Sequence, residues 1–522
     1  MDRHRTAALV GLITLAACSG AKEPPPGLGR RVATGAVRAV AASPDGAWLA
    51  FLDGCRDAKA SILPPGTASC DLRVVAVDGG GGARVAEAVT TLPHGFGWGR
   101  DGGLAALGGY EYPTASGQLV LWRGGEVRAL AAGVTFHGFG PHGELGWVAG
   151  GRLSVLLPGE AEARRVEADG VASFELSPAD PGSCGRPGGP LVRLAARRTR
   201  TAGGQLLVAA CDLREVRAAE GGQVGEYGFS RATPHLAYTV QGKDGAELRL
   251  VGTTSRAAPA TVAKGAQAFA FSPSGRTLAF VAGAAPGRQG DLHVVSDGGR
   301  PAVLGREVGE FRWARDAERL AWLERYEPRV RSGTLGAGGP GGAPRTFGQN
   351  VSDFDLSPDG KHVAFLQHTT RGGYSVDLGL GHLDGPAAAA PAGVAQGAFG
   401  FSFSPDGRWL YYRSRCVRNA EACDLERVPA EGLAPGARAE AVAQGVKSFD
   451  FDPRDASRLL VTFQRMDMVA LDVAVWTGGR LVAIDTHVLP GSARFLAPDS
   501  RRVAYAVVHP KRQGVYVAEL PR

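Results

Sequence analysis

Ser43-Pro44-Asp45-Gly46-Ala47-Trp48-Leu49-Ala50-Phe51-Leu52 reads as a tight turn feeding a strand, and the chain repeats it. Ser272-Pro273-Ser274-Gly275 precedes Arg276-Thr277-Leu278-Ala279-Phe280-Val281, and Ser357-Pro358-Asp359-Gly360 precedes Lys361-His362-Val363-Ala364-Phe365-Leu366. Ser404-Pro405-Asp406-Gly407 precedes Arg408-Trp409-Leu410-Tyr411-Tyr412. Proline sets φ near −65° at the second position of a type I turn. Aspartate bonds to nearby backbone, and glycine accepts the positive φ at the fourth position. The β-branched and aromatic residues behind the turn make a strand, and the Phe-Ser or Phe-Asp-Leu-Ser ahead of it makes another.

Weaker copies fill the gaps, such as Phe174-Glu175-Leu176-Ser177-Pro178, Tyr227-Gly228-Phe229-Ser230 and Phe449-Asp450-Phe451-Asp452-Pro453. The serine-equivalent position falls at 43, 99, 140, 177, 230, 272, 314, 357, 404, 452 and 497, which makes eleven units of roughly 45 residues. Each unit continues with a third strand, as in Asp291-Leu292-His293-Val294-Val295, and a fourth, as in Ala83-Arg84-Val85-Ala86. Four antiparallel strands in about 40–45 residues is one propeller blade. On these motifs residues 30–522 resemble the TolB-type, WD-repeat-like β-propeller family. The resemblance implies an all-β fold of four-stranded antiparallel blades used as a binding scaffold, with no particular ligand.

The last unit supplies three strands before the chain stops, while Arg30-Arg31-Val32-Ala33 reads like a fourth. Residues 30–34 are therefore expected to close the last blade, which removes exposed sheet edges. Eleven blades exceed the usual four to eight. Two rings sharing the closing blade is the expected layout, with a single irregular ring as the alternative.

The first residues read as a processing signal. Arg3, His4 and Arg5 precede an apolar run from Ala7 to Ala17, ending in Leu15-Ala16-Ala17-Cys18, which resembles a lipobox. The run is too short for a permanent transmembrane helix. The division is then a lipoprotein signal peptide at 1–17, a flexible tether at 18–29 whose Cys18 carries the lipid, and the blade array at 30–522. Attachment to a membrane runs through that lipid, and Ser19 resembles the outer-membrane-sorted class, so the expected location is the bacterial envelope, facing periplasm or exterior. The formal charge of +7 is spread without any run of five Lys/Arg, so nucleic acid is not an expected partner.

Seven cysteines less Cys18 leave six in an exported chain, an even number that suits disulfides. Cys55 and Cys70 bracket the loop between strands two and three of the first unit. Cys416 and Cys423 bracket the equivalent loop of the ninth, and both second members sit in matching text, Cys70-Asp71-Leu72 and Cys423-Asp424-Leu425. Cys184 and Cys211 then pair by elimination.

No Gly-x-Ser-x-Gly elbow, His-Glu-x-x-His motif or Cys-x-x-Cys pair occurs, and the repeated Asp45, Asp359 and Asp406 belong to the turns. No catalytic or metal-ligating residue and no cofactor is assigned. The face carrying the loops between strands two and three offers Tyr110 and Tyr112 in the second unit and Arg325 and Tyr326 in the seventh, residue types that make binding hot spots. The expected function is an envelope-anchored, non-catalytic scaffold for a protein partner. The alternative is an enzyme or small-ligand binder working in a central channel.

Overall fold

The structure is a computed structural model that describes residues 27–521, apart from 59–62, 65, 167–168, 179–191, 200–203, 211–212, 214–216, 221–222, 243–244, 254–256, 284–288, 297–298, 369–375, 386–389, 418–421, 434–437 and 466–468. Cys18, Cys184 and Cys211 lie outside the described residues.

Every helix or strand among the described residues is a strand, and the strands pair antiparallel with their neighbours in sequence. The fold is all-β and propeller-like. The repeated turn is built as its residue types require. Gly46 N–H donates to Ser43 O at 2.9 Å, with Gly46 at φ +70°. Ser43 Oγ donates to Asp45 Oδ1 at 2.5 Å and accepts the Trp48 N–H at 2.9 Å. The Ser357–Asp359 and Ser404–Asp406 pairs repeat this at 2.6 Å. The serine hydroxyl thus ties the turn to the strand that follows, a role its spacing alone does not reveal. The glycine also has a second reason to be there. A Cβ on Gly46 would lie 2.1 Å from the Ala497 carbonyl oxygen, and one on Gly275 would lie 2.6 Å from the Arg231 nitrogen. Turns of successive units nest against each other, and a side chain there would force them apart.

Among the described residues the strands form seven sheets: four of four strands, two of seven and one of eleven. The larger sheets arise where one long strand serves two four-stranded meanders. Glu126–Phe139, Arg345–Leu356 and Glu440–Phe451 each kink at a left-handed residue, namely Gly133 (φ +64°), Asn350 (φ +54°) and Gly445 (φ +71°). The half before each kink ends one meander and the half after it begins the next. At the other end of the chain, Arg30–Thr34 pairs with Gly514–Glu519, Arg30 opposite Val517 and Thr34 opposite Gly514.

The apolar core lies between successive four-stranded meanders rather than inside any one of them. Each core cluster among the described residues joins two meanders consecutive in the chain. Leu52, Leu72 and Val74 meet Leu104 and Trp122, for example, and Leu206 and Val208 meet Leu236 and Tyr238. A further cluster joins the ends of the chain, with Val40, Leu49 and Phe51 against Leu496, Ala506 and Val515. Each such side chain contributes about 1.5–3 kcal/mol when fully buried. An edge strand is therefore held by its neighbouring sheet as much as by its own hydrogen bonds.

Cys55–Cys70 and Cys416–Cys423 are bonded, with Cα atoms 4.0 Å apart in both. Each joins a second strand to a third, Trp48–Asp57 to Ala68–Ala76 and Trp409–Val417 to Ala422–Pro429. Matching β-bulges at Asp53/Arg56 and Ser414/Val417 bring the sulfurs together, through left-handed Gly54 (φ +60°) and Arg415 (φ +47°).

Candidate functional site

The loop face singled out from sequence is largely consumed by the fold. Tyr110 is expected to be exposed, but it is only 8% exposed, its hydroxyl 3.0 Å from His94 Nε2. Tyr112 is half-buried, donates its hydroxyl to Ala68 O at 2.8 Å, and stacks edge-on to Tyr110 with ring centroids 5.2 Å apart. The cause is a bulge between Gly108 and Glu111, with Gly109 at φ +58°, which turns both rings toward the junction of the first three units. His137 completes that knot. Its Nε2 lies 3.0 Å from His94 O, and burial pulls its pKa down to about 4. Arg325 does stay exposed, in left-handed backbone, but the Tyr326 ring packs against Gly309, where a Cβ would come within 2.2 Å of it. Among the described residues no contact joins the Tyr110 pair to the Arg325 pair.

A different surface is left free. The first strands of the fifth, sixth and seventh units, Val224–Phe229, Ala268–Phe271 and Glu310–Trp313, each pair with one neighbour only among the described residues, so one edge of each is open. Along them lies a groove of about 800 Å³. Its wall carries Tyr227, Phe269, Phe271 and Trp313, and its arginines are Arg197, Arg231 and Arg315, with Glu226 the carboxylate among its lining side chains. Period-two alternation explains the aromatic wall: residues two apart on a strand share a face, as Phe269 and Phe271 do. The signal is present in sequence as the aromatic-x-aromatic text before the turns of these three units, Tyr227-Gly228-Phe229, Phe269-Ala270-Phe271 and Phe311-Arg312-Trp313. It served there only to mark the repeat.

The wall is braced from behind. Arg193 is buried, with its guanidinium 5.0 Å from the Phe229 ring centroid. It donates to Pro178 O, Thr233 O and Ser230 O, each at 2.7 Å, and to Ser177 Oγ at 3.1 Å. Trp313 Nε1 donates to Ala270 O at 3.3 Å, locking the indole across two units. Burial raises the Glu175 carboxyl above its ordinary range, with Arg193 opposing the rise. Burial also raises the Tyr227 hydroxyl, and Glu175 adds to that. In front, Arg315 donates to Pro405 O at 2.6 Å and pairs with Asp316, whereas Arg197 and Arg231 have no side-chain hydrogen bond or ion pair among the described residues. Among the described residues no three His, Cys, Asp or Glu side chains converge as metal ligands. The arrangement offers anion recognition beside aromatic surface.

No family model and no curated protein matches the chain. Among solved structures, it is similar to one described as the crystal structure of the eukaryotic initiation factor, at 12% identity and a TM-score of 0.43, over 70% of this chain and 93% of that one. It is also similar to an oligogalacturonate lyase in complex with manganese, at 14% identity and a TM-score of 0.31, over 62% of this chain and 94% of that one.

Proposed function

We propose that this chain is a non-catalytic binding scaffold, lipid-anchored in the cell envelope, that holds a protein partner against its groove wall. The observation that carries the reading is the groove across three open strand edges, where Arg197 and Arg231 have no ion pair among the described residues and stand beside an aromatic wall. Unpaired arginine and half-buried aromatic rings on a rigid frame supply affinity at little ordering cost. The anchor rests on Leu15-Ala16-Ala17-Cys18, and Ser19 supports outer-membrane sorting. Counting each kinked long strand as a boundary, together with the single Val488–Val507 pairing that joins the last meander to its sheet, gives eleven four-stranded blades among the described residues. One closed ring suits the core better than the two rings expected from length, because successive blades share core clusters and the last blade shares one with the first.

A photo-cross-linking residue placed at Ala270 in the full-length protein, irradiated in intact envelopes, is expected to yield a discrete protein adduct. The same residue at the exposed outer position Val303 is expected to yield none. No adduct from Ala270, or one indistinguishable from Val303, sinks the reading. Cys18→Ala is expected to release the protein from membranes, and continued membrane fractionation counts against the anchor.

A further inference from the structure

Resting on that reading, we propose that the groove takes an extended acidic peptide segment, laid alongside the open edge of Val224–Phe229 with its carboxylates on Arg197 and Arg231. Three observations converge on this ligand.

The first is length. Gly225, at the start of this strand, and Arg231, just past its end, both line the groove. Six residues of extended chain cover about 20 Å. Arg197 belongs to Val192–Arg198 and pairs opposite Ser173 near the start of the neighbouring first strand Val171–Pro178. Arg231 and Arg315 follow the ends of their own first strands. Positive charge therefore stands at both ends of the groove with aromatic surface between, which suits an elongated ligand better than a compact one.

The second is charge. Arg197 and Arg231 are exposed and lack ion pairs among the described residues, whereas the nearby Arg312 and Arg193 are committed. Arg312 is bound to Glu310 Oε1 at 2.6 Å and lies 3.2 Å from Asp353. Arg193 is spent on backbone carbonyls behind the wall. A carboxylate forks onto an exposed guanidinium with two parallel bonds, and it is the anion that an unmodified peptide carries on its side chains.

The third is the edge itself. An open strand edge presents N–H and C=O groups at the spacing of another extended peptide, so strand addition supplies affinity while side chains at alternate positions supply selectivity. A sugar chain has no matching ladder.

The test uses the full-length protein and a fluorescein-labelled eight-residue peptide with glutamates at both ends and Val-Phe-Val at its centre. Three comparison ligands accompany it: a version with Gln for Glu, a version N-methylated at alternate amides, and an oligo-uronate of equal charge. The expected result is saturable binding of the acidic peptide that weakens as salt rises. The Gln and N-methylated versions bind at least about tenfold more weakly. Arg197→Gln with Arg231→Gln costs at least about tenfold, and Arg165→Gln on an outer strand costs nothing. Equal binding of the Gln version, or indifference to the double substitution, overturns the acidic assignment. Tighter binding of the oligo-uronate, or indifference to N-methylation, overturns the peptide assignment. A protein adduct at Ala270 with no affinity for the acidic peptide sinks this inference alone. Loss of both the adduct and the affinity sinks the scaffold reading with it.

Discussion

The junction of the first three units and the groove wall of the fifth to seventh treat their polar side chains in opposite ways. At the junction, Tyr110, Tyr112, His94 and His137 bond to one another or to nearby backbone carbonyls, with His137 Nδ1 buried without a hydrogen-bond partner among the described residues. At the wall, Arg193 is equally consumed, yet Arg197, four residues further along the same strand, has no side-chain hydrogen bond or ion pair among the described residues. Residue type and loop position therefore do not identify a binding surface. What identifies it is polar capacity left over after packing on groups that solvent can reach.

The largest expected effect is at the brace. Arg193→Met removes a guanidinium that serves four acceptors, two of them (Ser177 Oγ and Ser230 O) in buried contacts, at a cost of about 3–5 kcal/mol. A shift of the urea midpoint worth less than about 1 kcal/mol would mean the wall is not braced this way. Next comes acid. Burial holds the His137 imidazole neutral, with its folded pKa at about 4. Its contribution is complete above about pH 6.5 and is lost as pH falls toward 4, a change on the order of 3 kcal/mol. Burial lowers His94, His293 and His362 too, so their effects share that sign. Urea midpoints at pH 7.5 and 4.5 should differ, and the difference should shrink in His137→Gln; a flat profile contradicts the knot.

The staples come third. Replacing Cys55 and Cys70 by alanine should cost about 3 kcal/mol, and replacing Cys416 and Cys423 slightly less, about 2 kcal/mol, because the shorter ring restrains the unfolded chain less. Reversal of that order in thermal melts would show that loop entropy is not the controlling factor. Tyr112→Phe, which removes the hydrogen bond to Ala68 O, should cost about 1 kcal/mol and leave groove binding unchanged. The smallest effect falls on the free arginines. Arg197→Gln with Arg231→Gln should keep stability within about 0.5 kcal/mol while binding falls. If that pair destabilises as much as Arg193→Met, the two classes of arginine collapse into one.

The turn tetrapeptide, the period of roughly 45 residues, the four antiparallel strands of each unit and the two short disulfides were all legible in sequence. They rest on groups a few to about twenty residues apart, so local backbone geometry decides them. The pairing of Arg30–Thr34 with the last meander was legible too, since a unit one strand short leaves an edge to cover. Only tertiary structure decided the rest. Tyr110 was read as exposed because nothing near it in sequence shows that His94 and a bulge at Gly108/Glu111 would bury it. The groove gathers residues 197 to 315 from four units, all written in the same repeat. A repeat says which positions are equivalent, but it does not say which of them the neighbouring sheets leave unsatisfied. That depends on side chains arriving from other units, and only packing brings those together.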